Sequence, residues 1–391
     1  MNVENKALPL PAKLQIIIAM SNTSNRVFLY KRQKMNFQYK PTEISDLLTE
    51  WYKQNKRDLP WRDISDPYKI WISEIILQQT RVNQGMNYYL RFIDRFQTVE
   101  DLASADEHEV LKYWQGLGYY TRARNLHKAA RQISSDFKGI FPTNHADILK
   151  LAGIGDYTAA AISSFAFNQP YAVVDGNVFR VLARVFGIET AIDSNAGKKE
   201  FTQLAQTLLP HSDPALHNQA IMEFGALQCT PGSSPNCNIC PLILHCRALE
   251  LNIISKVPVK SQKTKVSNRY FNYIFIQFQD NTFIQKRTTK DVWQNLYEFP
   301  LIETSHLLNP SELLEDEYFK LLFEGVEEVN ILKTSNPMKH VLSHRVIHAQ
   351  FITIRISNLS KLLNQSDQIK ISDLSNFAVS RLMELFLEKL S

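Results

Sequence analysis

At 391 residues the chain exceeds the roughly 250 to 300 at which a single hydrophobic core stops growing, so two folded domains are expected. Hydrophobic residues make up 44% and charged residues 21%, and no apolar run nears the ~20 residues of a membrane span, so the composition is that of a soluble globular protein. A formal charge of +5 leans toward a polyanionic partner without deciding it, because many enzymes with no nucleic-acid role are as basic.

Residues 1–40 carry too little apolar surface to fold alone, and no secretory cleavage site clearly follows the short apolar run at 14–20. Met35 offers an alternative start, so this stretch is expected to be a disordered tail or a mis-assigned start. From 41 to 250 apolar residues recur at three- and four-residue spacing between short breaks containing Gly, Pro or Asp, which predicts a helical domain. Residues 251–268 include the polar, Lys-rich VPVKSQKTKVSN and are expected to be an exposed linker. Beyond it, 270–278 is aromatic and β-branched, 282–286 is its expected hairpin partner, and 349–356 alternates apolar with polar. An amphipathic helix at 381–390 closes 269–391 as an α+β domain.

Cys229, Cys237, Cys240 and Cys246 are the four cysteines of the chain, spaced C-x7-C-x2-C-x5-C. Their confinement to one segment argues for a metal site in a reducing, intracellular compartment rather than for disulfides. By spacing alone four thiolates suit either a zinc ion or an iron–sulfur cubane.

Residues 151–162 read LAGIGDYTAAAI, with Gly153 and Gly155 bracketing a helix break. Glycine there permits a tight turn that brings backbone N–H groups against a phosphate, although a GxG also suits an ordinary helix–helix turn. In VVDGNV (173–178) Asp175 sits among Val173, Val174 and Val178, an expensive position for a carboxylate unless its charge is used. It is equally suited to cap the helix that follows. Glu74, in WISEIILQQTRV, is flanked by Ile72, Ile75, Ile76 and Leu77, surroundings that keep a carboxyl protonated near neutral pH and suit a general acid. A solvated glutamate at a helix start is the plainer alternative. One protonated and one ionised carboxyl flanking a glycosidic bond meet the general requirement of glycoside cleavage.

Taken in this order, the hairpin, VVDGNV and the cysteines resemble the helix-hairpin-helix DNA glycosylases related to endonuclease III across residues 42–250. The resemblance implies a mainly α catalytic domain of two helical lobes, with a [4Fe–4S] cluster on the four cysteines. The family's first gap is six residues; CTPGSSPNC makes it seven, so a one-residue bulge is expected in a loop that touches DNA. Gly153 and Gly155 would hold a DNA phosphate, and Asp175 would stabilise the cation that forms on the sugar. Where bifunctional relatives carry a lysine this chain has Tyr157, and a phenol of pKa near 10 forms no Schiff base, so base removal without strand cleavage is implied. Tyrosine there is shared by adenine glycosylases and a thymine-removing branch. RDLPWR (57–62) and QQTR (78–81) resemble the adenine branch, which implies that Arg57, Trp61 and Gln219 line the base pocket. It also implies that Gln79, Thr80 and Tyr119 enter or contact the stack and that Glu74 protonates adenine N7. On composition alone Trp61 and Tyr119 would be core aromatics.

WQNLYEFP (293–300) and KHVLSHR (339–345) resemble the Nudix-like recognition domain of the adenine glycosylases, without the acidic metal motif of Nudix hydrolases. The family's Phe-Ser-His reads Leu342, Ser343 and His344 here, which weakens wedging at Leu342 and leaves Ser343 and His344 to detect 8-oxoguanine. A solvent-facing strand histidine is the alternative for His344. Arg124, Lys128 and Arg131 share a helical face and, with Lys260, Lys263 and Lys265, suit DNA phosphates or simply solvent. The whole implies an intracellular, monomeric, monofunctional enzyme excising adenine opposite 8-oxoguanine or guanine in duplex DNA, with no membrane role. A glycosylase for another base, a bifunctional lyase and a non-catalytic DNA-binding module are the competing readings.

Overall fold

The computed structural model describes residues 41–261, 266–342 and 344–390. Residues 1–40, the linker lysines Lys263 and Lys265, and Ser343 lie outside the described residues.

Helix α1 (Pro41–Asn55) leads to α2 (Pro67–Leu77), which starts on a proline after Asp66, whose carboxylate accepts from the backbone N–H of Tyr68 and Lys69. Along α2 every residue from Tyr68 to Ile76 except Lys69 is buried, so this helix is central and carries Glu74 into the interior. Around it lie α3 (Val82–Arg95), α4 (Val99–Ser104), α5 (Glu107–Tyr113), α6 (Thr121–Asp136), α7 (His145–Leu149) and α8 (Asp156–Phe167). Trp71, Phe92, Trp114, Leu126 and Ile162 form the core of this lobe. The second lobe contains α9 (Gly176–Phe186), α10 (Asn195–Leu208), α11 (Pro214–Leu227) and α12 (Arg247–Glu250). Leu48 and Tyr52 of α1 pack there with Val181, Phe201 and Phe224, so the first helix completes the second lobe. Among the described residues no helix is long and apolar enough to cross a membrane.

The C-terminal region comprises β1 (Ser267–Gln277), β2 (Asn281–Lys286), β3 (Tyr297–Glu298), β4 (Leu301–Thr304), α13 (Pro310–Glu315), α14 (Glu317–Leu322), β5 (Val329–Thr334), β6 (Met338–Val341), β7 (Arg345–Ile356), β8 (Asp367–Lys370) and α15 (Arg381–Leu387). Its central pair, β1 and β7, is parallel, with Ser267 opposite Arg345 and Gln277 opposite Arg355. Strand β4 flanks β1, and β5 and β6 flank β7, all antiparallel. Side chains alternate across this sheet: Phe271, Tyr273, Phe275 and Phe351 join the core shared with α15 and the first helical lobe. Ile274, Ile276, Ile352 and Ile354 face Leu313 and Phe319 of α13 and α14.

One expected pairing is different. Residues Phe278 and Asn281 close the tight turn after β1, but β2 then pairs with β3 and β8 in a separate sheet. Thr282, Phe283 and Ile284 are buried in succession, so β2 is covered on both faces, unlike the half-exposed edge strand of a simple hairpin.

The C-terminal region docks on the first lobe. Gln115 accepts from Val379 N–H and donates to Glu384, Lys112 donates to Phe377 O, and Asn295 donates to Glu107. Arg124, expected to face DNA phosphates or solvent, donates to Gln294 O and Thr121 Oγ1. Arg131 donates to Ala103 O, while Lys128 is exposed.

Inside the C-terminal region Arg287 donates from Nη1 to both oxygens of the buried Glu298, at 2.8 and 2.7 Å, and Tyr273 OH adds a third bond at 3.2 Å. Arg287→Met is expected to lower stability by about 3 kcal/mol, because it strands a buried carboxylate. Adding Glu298→Leu should recover much of that loss, which denaturant melts of the single and double variants will check.

Candidate active site

A cavity of about 430 Å³ opens between the two helical lobes, within the size range of sites that enclose small ligands. From the first lobe Trp61, Glu74, Gln79, Thr80 and Tyr157 line it; from the second come Asp175, Gln219 and Glu223. Arg57 and Arg62, on the segment joining α1 to α2, complete the wall.

Glu74 reaches the cavity because α2 is apolar around nearly its whole circumference. Tyr157, in the first turn of α8 just past Gly153 and Gly155, donates its hydroxyl to Glu74 Oε2 at 2.8 Å. Burial pushes the Glu74 carboxyl from its ordinary 4.5 up to about 7, against the opposing pull of the Tyr157 hydrogen bond and Arg62. Burial and the nearby carboxylates hold the Tyr157 phenol well above its ordinary range, so it remains a proton-bearing donor.

Asp175 caps α9, accepting from Asn177 N–H at 2.9 Å, Val178 N–H at 2.8 Å and Asn177 Nδ2 at 2.7 Å. It therefore both caps the helix and lines the cavity. Burial raises its carboxyl, and these donors oppose the rise. The anion is better supported here, with three donors, than at Glu74, with one.

The lining residues that the sequence did not single out include Glu223 and Arg62. Glu223, 1% exposed, takes a two-pronged bond from Arg57, Nε to Oε1 and Nη2 to Oε2, both at 2.7 Å. Burial alone would raise its carboxyl, but the Arg57 and Arg62 charges and bonds hold it below the usual range. Arg62 also donates to Tyr52 OH at 3.2 Å. A guanidinium has no acceptor, so the Tyr52 hydroxyl accepts from Arg62 and donates its own hydrogen bond to Gln219 Oε1 at 2.8 Å. Gln219, held in this way, also lines the cavity. Glu223 lies in QAIMEFGAL, a carboxylate among apolar residues, the same signal that drew attention to Glu74.

Trp61 is 7% exposed, lines the cavity and meets Tyr89 edge to face at 5.0 Å, so it belongs to core and site together. Tyr119 is 51% exposed and is not a core aromatic. His344 is exposed at the turn between β6 and β7 and does not line the cavity; Leu342 packs against the core.

Residues 72–210 match the family described as HhH-GPD superfamily base excision DNA repair protein, and residues 272–389 match the NUDIX domain. The adenine DNA glycosylase of Buchnera aphidicola subsp. Baizongia pistaciae is 35% identical over 82% of this chain and 89% of its own length. The chain belongs to the adenine DNA glycosylases. The Homo sapiens adenine DNA glycosylase is 43% identical over 53% of this chain and 39% of its own. A solved structure of a thermostable thymine-DNA glycosylase is similar over 54% of this chain and 97% of its own, with 32% identity and a TM-score of 0.50.

In this adenine DNA glycosylase family member the four cysteines line a second cavity, walled by Arg184, Phe224, Leu242 and Ile254. Among the described residues no three His, Cys, Asp or Glu side chains are placed to hold a single metal ion. Four thiols lining one shared, mostly apolar space suit a metal centre, either a zinc ion or an iron–sulfur cluster. Arg184 braces the loop of the first gap, donating to Cys229 Sγ at 3.5 Å, Thr230 O at 2.8 Å and Gly232 O at 2.7 Å. Within that gap Gly232 adopts φ 105°, a backbone that a side chain would oppose.

The raised Glu74 carboxyl gives a stability test. Its protonated form favours the fold fully below the ordinary 4.5, and that advantage is lost as pH rises through about 7. Glu74→Gln, neutral throughout, is expected to gain stability over the parent by on the order of 3 kcal/mol between about pH 4 and about pH 8.5. Thermal melts of both proteins at the two pH values will show whether the gap widens.

Proposed function

We propose that this protein is a monofunctional DNA glycosylase that removes adenine paired with 8-oxoguanine or guanine in double-stranded DNA, acting as a monomer. The observation that carries the reading is that Glu74 and Asp175, from different lobes, line one cavity with Tyr157 hydrogen-bonded to the former. Adenine leaves poorly as an anion, so Glu74 delivers a proton to N7 while the Asp175 carboxylate stabilises the positive charge growing on the deoxyribose; a water then adds to that cation and loses a proton to solvent, completing the hydrolysis. Tyr157 orients Glu74 and has no amine with which to attack the sugar, so the strand is not cut by β-elimination.

The target atoms are buried in the duplex stack, so the base must be extruded into the cavity. Gln79, Thr80 and Tyr119 enter or contact the stack, and Arg57, Trp61 and Gln219 receive the base. Backbone N–H groups at Gly153 and Gly155 hold a phosphate, with Lys260 a further backbone contact. Residues 41–250 form the catalytic domain, 251–268 the linker and 269–391 the recognition domain, where Ser343 and His344 read 8-oxoguanine. Cys229, Cys237, Cys240 and Cys246 would hold a [4Fe–4S] cluster, which when bound cross-links the loop and supplies one-electron redox capacity.

The test is incubation with a duplex carrying one A:8-oxoguanine pair, followed by alkali. The adenine strand should break there, Glu74→Gln should slow release by about 100-fold or more, and Asp175→Asn by at least as much. Undiminished release from Asp175→Asn, a stoichiometric borohydride adduct, or faster action on a G:T duplex would each sink the reading.

The metal is checked separately. The purified protein should contain iron and acid-labile sulfide in equal amounts with broad visible absorption, all lost in Cys237→Ser. Zinc in their place would replace the cluster assignment.

A further inference from the structure

Two side-chain-bearing residues hold left-handed backbone: Gln79, in the wall of the cavity, at φ 57°, and Tyr119, in a neighbouring pocket that Gln78 also lines, at φ 48°. Such conformations are unfavourable away from glycine and persist only when the surroundings enforce them. Both turns meet one side chain, Arg122, in the first turn of α6. Its Nη1 donates to Ile75 O at 2.6 Å, Ile76 O at 2.9 Å and Gln78 O at 2.6 Å, and its Nη2 donates to Gly118 O at 3.3 Å. The same guanidinium lies 5.2 Å from the Trp114 ring and 5.5 Å from the Tyr119 ring. The first three carbonyls belong to the C-terminal end of α2, where unpaired acceptors and the negative end of the helix dipole collect. A helix cap alone would need only those. The bond to Gly118 and the stacking on Tyr119 link α2 to a second turn far away in the sequence.

We propose that Arg122 is a positioning residue for base extrusion: one guanidinium locks the Gln79 turn and the Tyr119 turn to each other and to the helix that carries Glu74. Both side chains then stand ready to enter the stack, so little ordering remains to be done when DNA arrives. The fork is specific to arginine, since a lysine ammonium is a point charge that reaches fewer of the four carbonyls. This inference rests on the proposal that the protein extrudes a base, and the test keeps the two apart.

In an Asp175→Asn background, with 2-aminopurine in place of the target adenine opposite 8-oxoguanine, binding should raise the probe's fluorescence as the base leaves the stack. Adding Arg122→Met should cut the extruded fraction by on the order of tenfold, with Arg122→Lys recovering part of it. In proteins retaining Asp175, single-turnover release should fall to match on an ordinary duplex. The loss should shrink on one whose adenine is already unstacked by flanking mismatches, and the pH profile of release should keep its parental shape. Equal loss on both duplexes, a displaced pH profile, or no loss in either variant overturns the positioning role. Should Arg122→Met fail to fold in a thermal melt, Arg122→Lys carries the same comparison. Absence of any fluorescence change with Arg122 intact overturns the extrusion reading, and this inference with it.

Discussion

The site depends on a carboxyl kept away from water. Glu74 is on the most apolar helix of the first lobe, and a helix so coated has nowhere to go but the centre. The charged form of Glu74 is therefore disfavoured, and one phenolic donor from α8 is enough to orient the group without making the anion dominant. Asp175 is given more donors. It is also buried, but a helix N-terminus and an asparagine amide supply the donors an anion requires. Two buried carboxyls on one cavity, both raised by desolvation, thus receive unequal support for the anion from the donors around them.

The second buried network shapes the cavity rather than its proton inventory. Glu223 holds Arg57 in a fork, shares Arg62 with Tyr52, and Tyr52 fixes the amide of Gln219. Direction runs one way because arginine only donates and a buried carboxylate only accepts. Breaking such a chain at any point leaves a buried polar atom without its partner, so the cavity wall is defined by mutual satisfaction more than by packing.

Much of this was legible before the fold was known, for physical reasons that can be named. Apolar neighbours drew attention to Glu74, but on those residues alone a solvated glutamate at a helix start was the plainer reading, and the family motif decided between them. Asp175 stood out because a carboxylate between valines must be capping, catalytic or both, and here it caps and lines the cavity together. A strand at 270–278 followed from its aromatic and β-branched residues and one at 349–356 from alternation, but their parallel pairing did not, since neither signal fixes which strands are neighbours. Helical arithmetic put Arg124, Lys128 and Arg131 on one face and was silent about what lies opposite; at Arg124 it is the carbonyl of Gln294. Arg122 was invisible for a related reason. Its partners are backbone carbonyls, which every residue owns, so no pattern of side chains announces them.

The Tyr119 turn joins the two halves of the molecule. On one side Arg122 ties it to α2. On the other, Tyr120 OH accepts from Gly116 N–H at 3.2 Å and reaches Val379 O at 3.5 Å, while Gln115 bridges Val379 N–H and Glu384. The sheet's Phe271, Tyr273 and Phe351 share a continuous core with Trp114 and Leu117 behind the same turn. A left-handed residue held from both directions cannot relax when either support is removed without moving the other, because packed interiors shift as units rather than deform locally. The turn is thus as much a product of the C-terminal region as of the helical lobe that contains it.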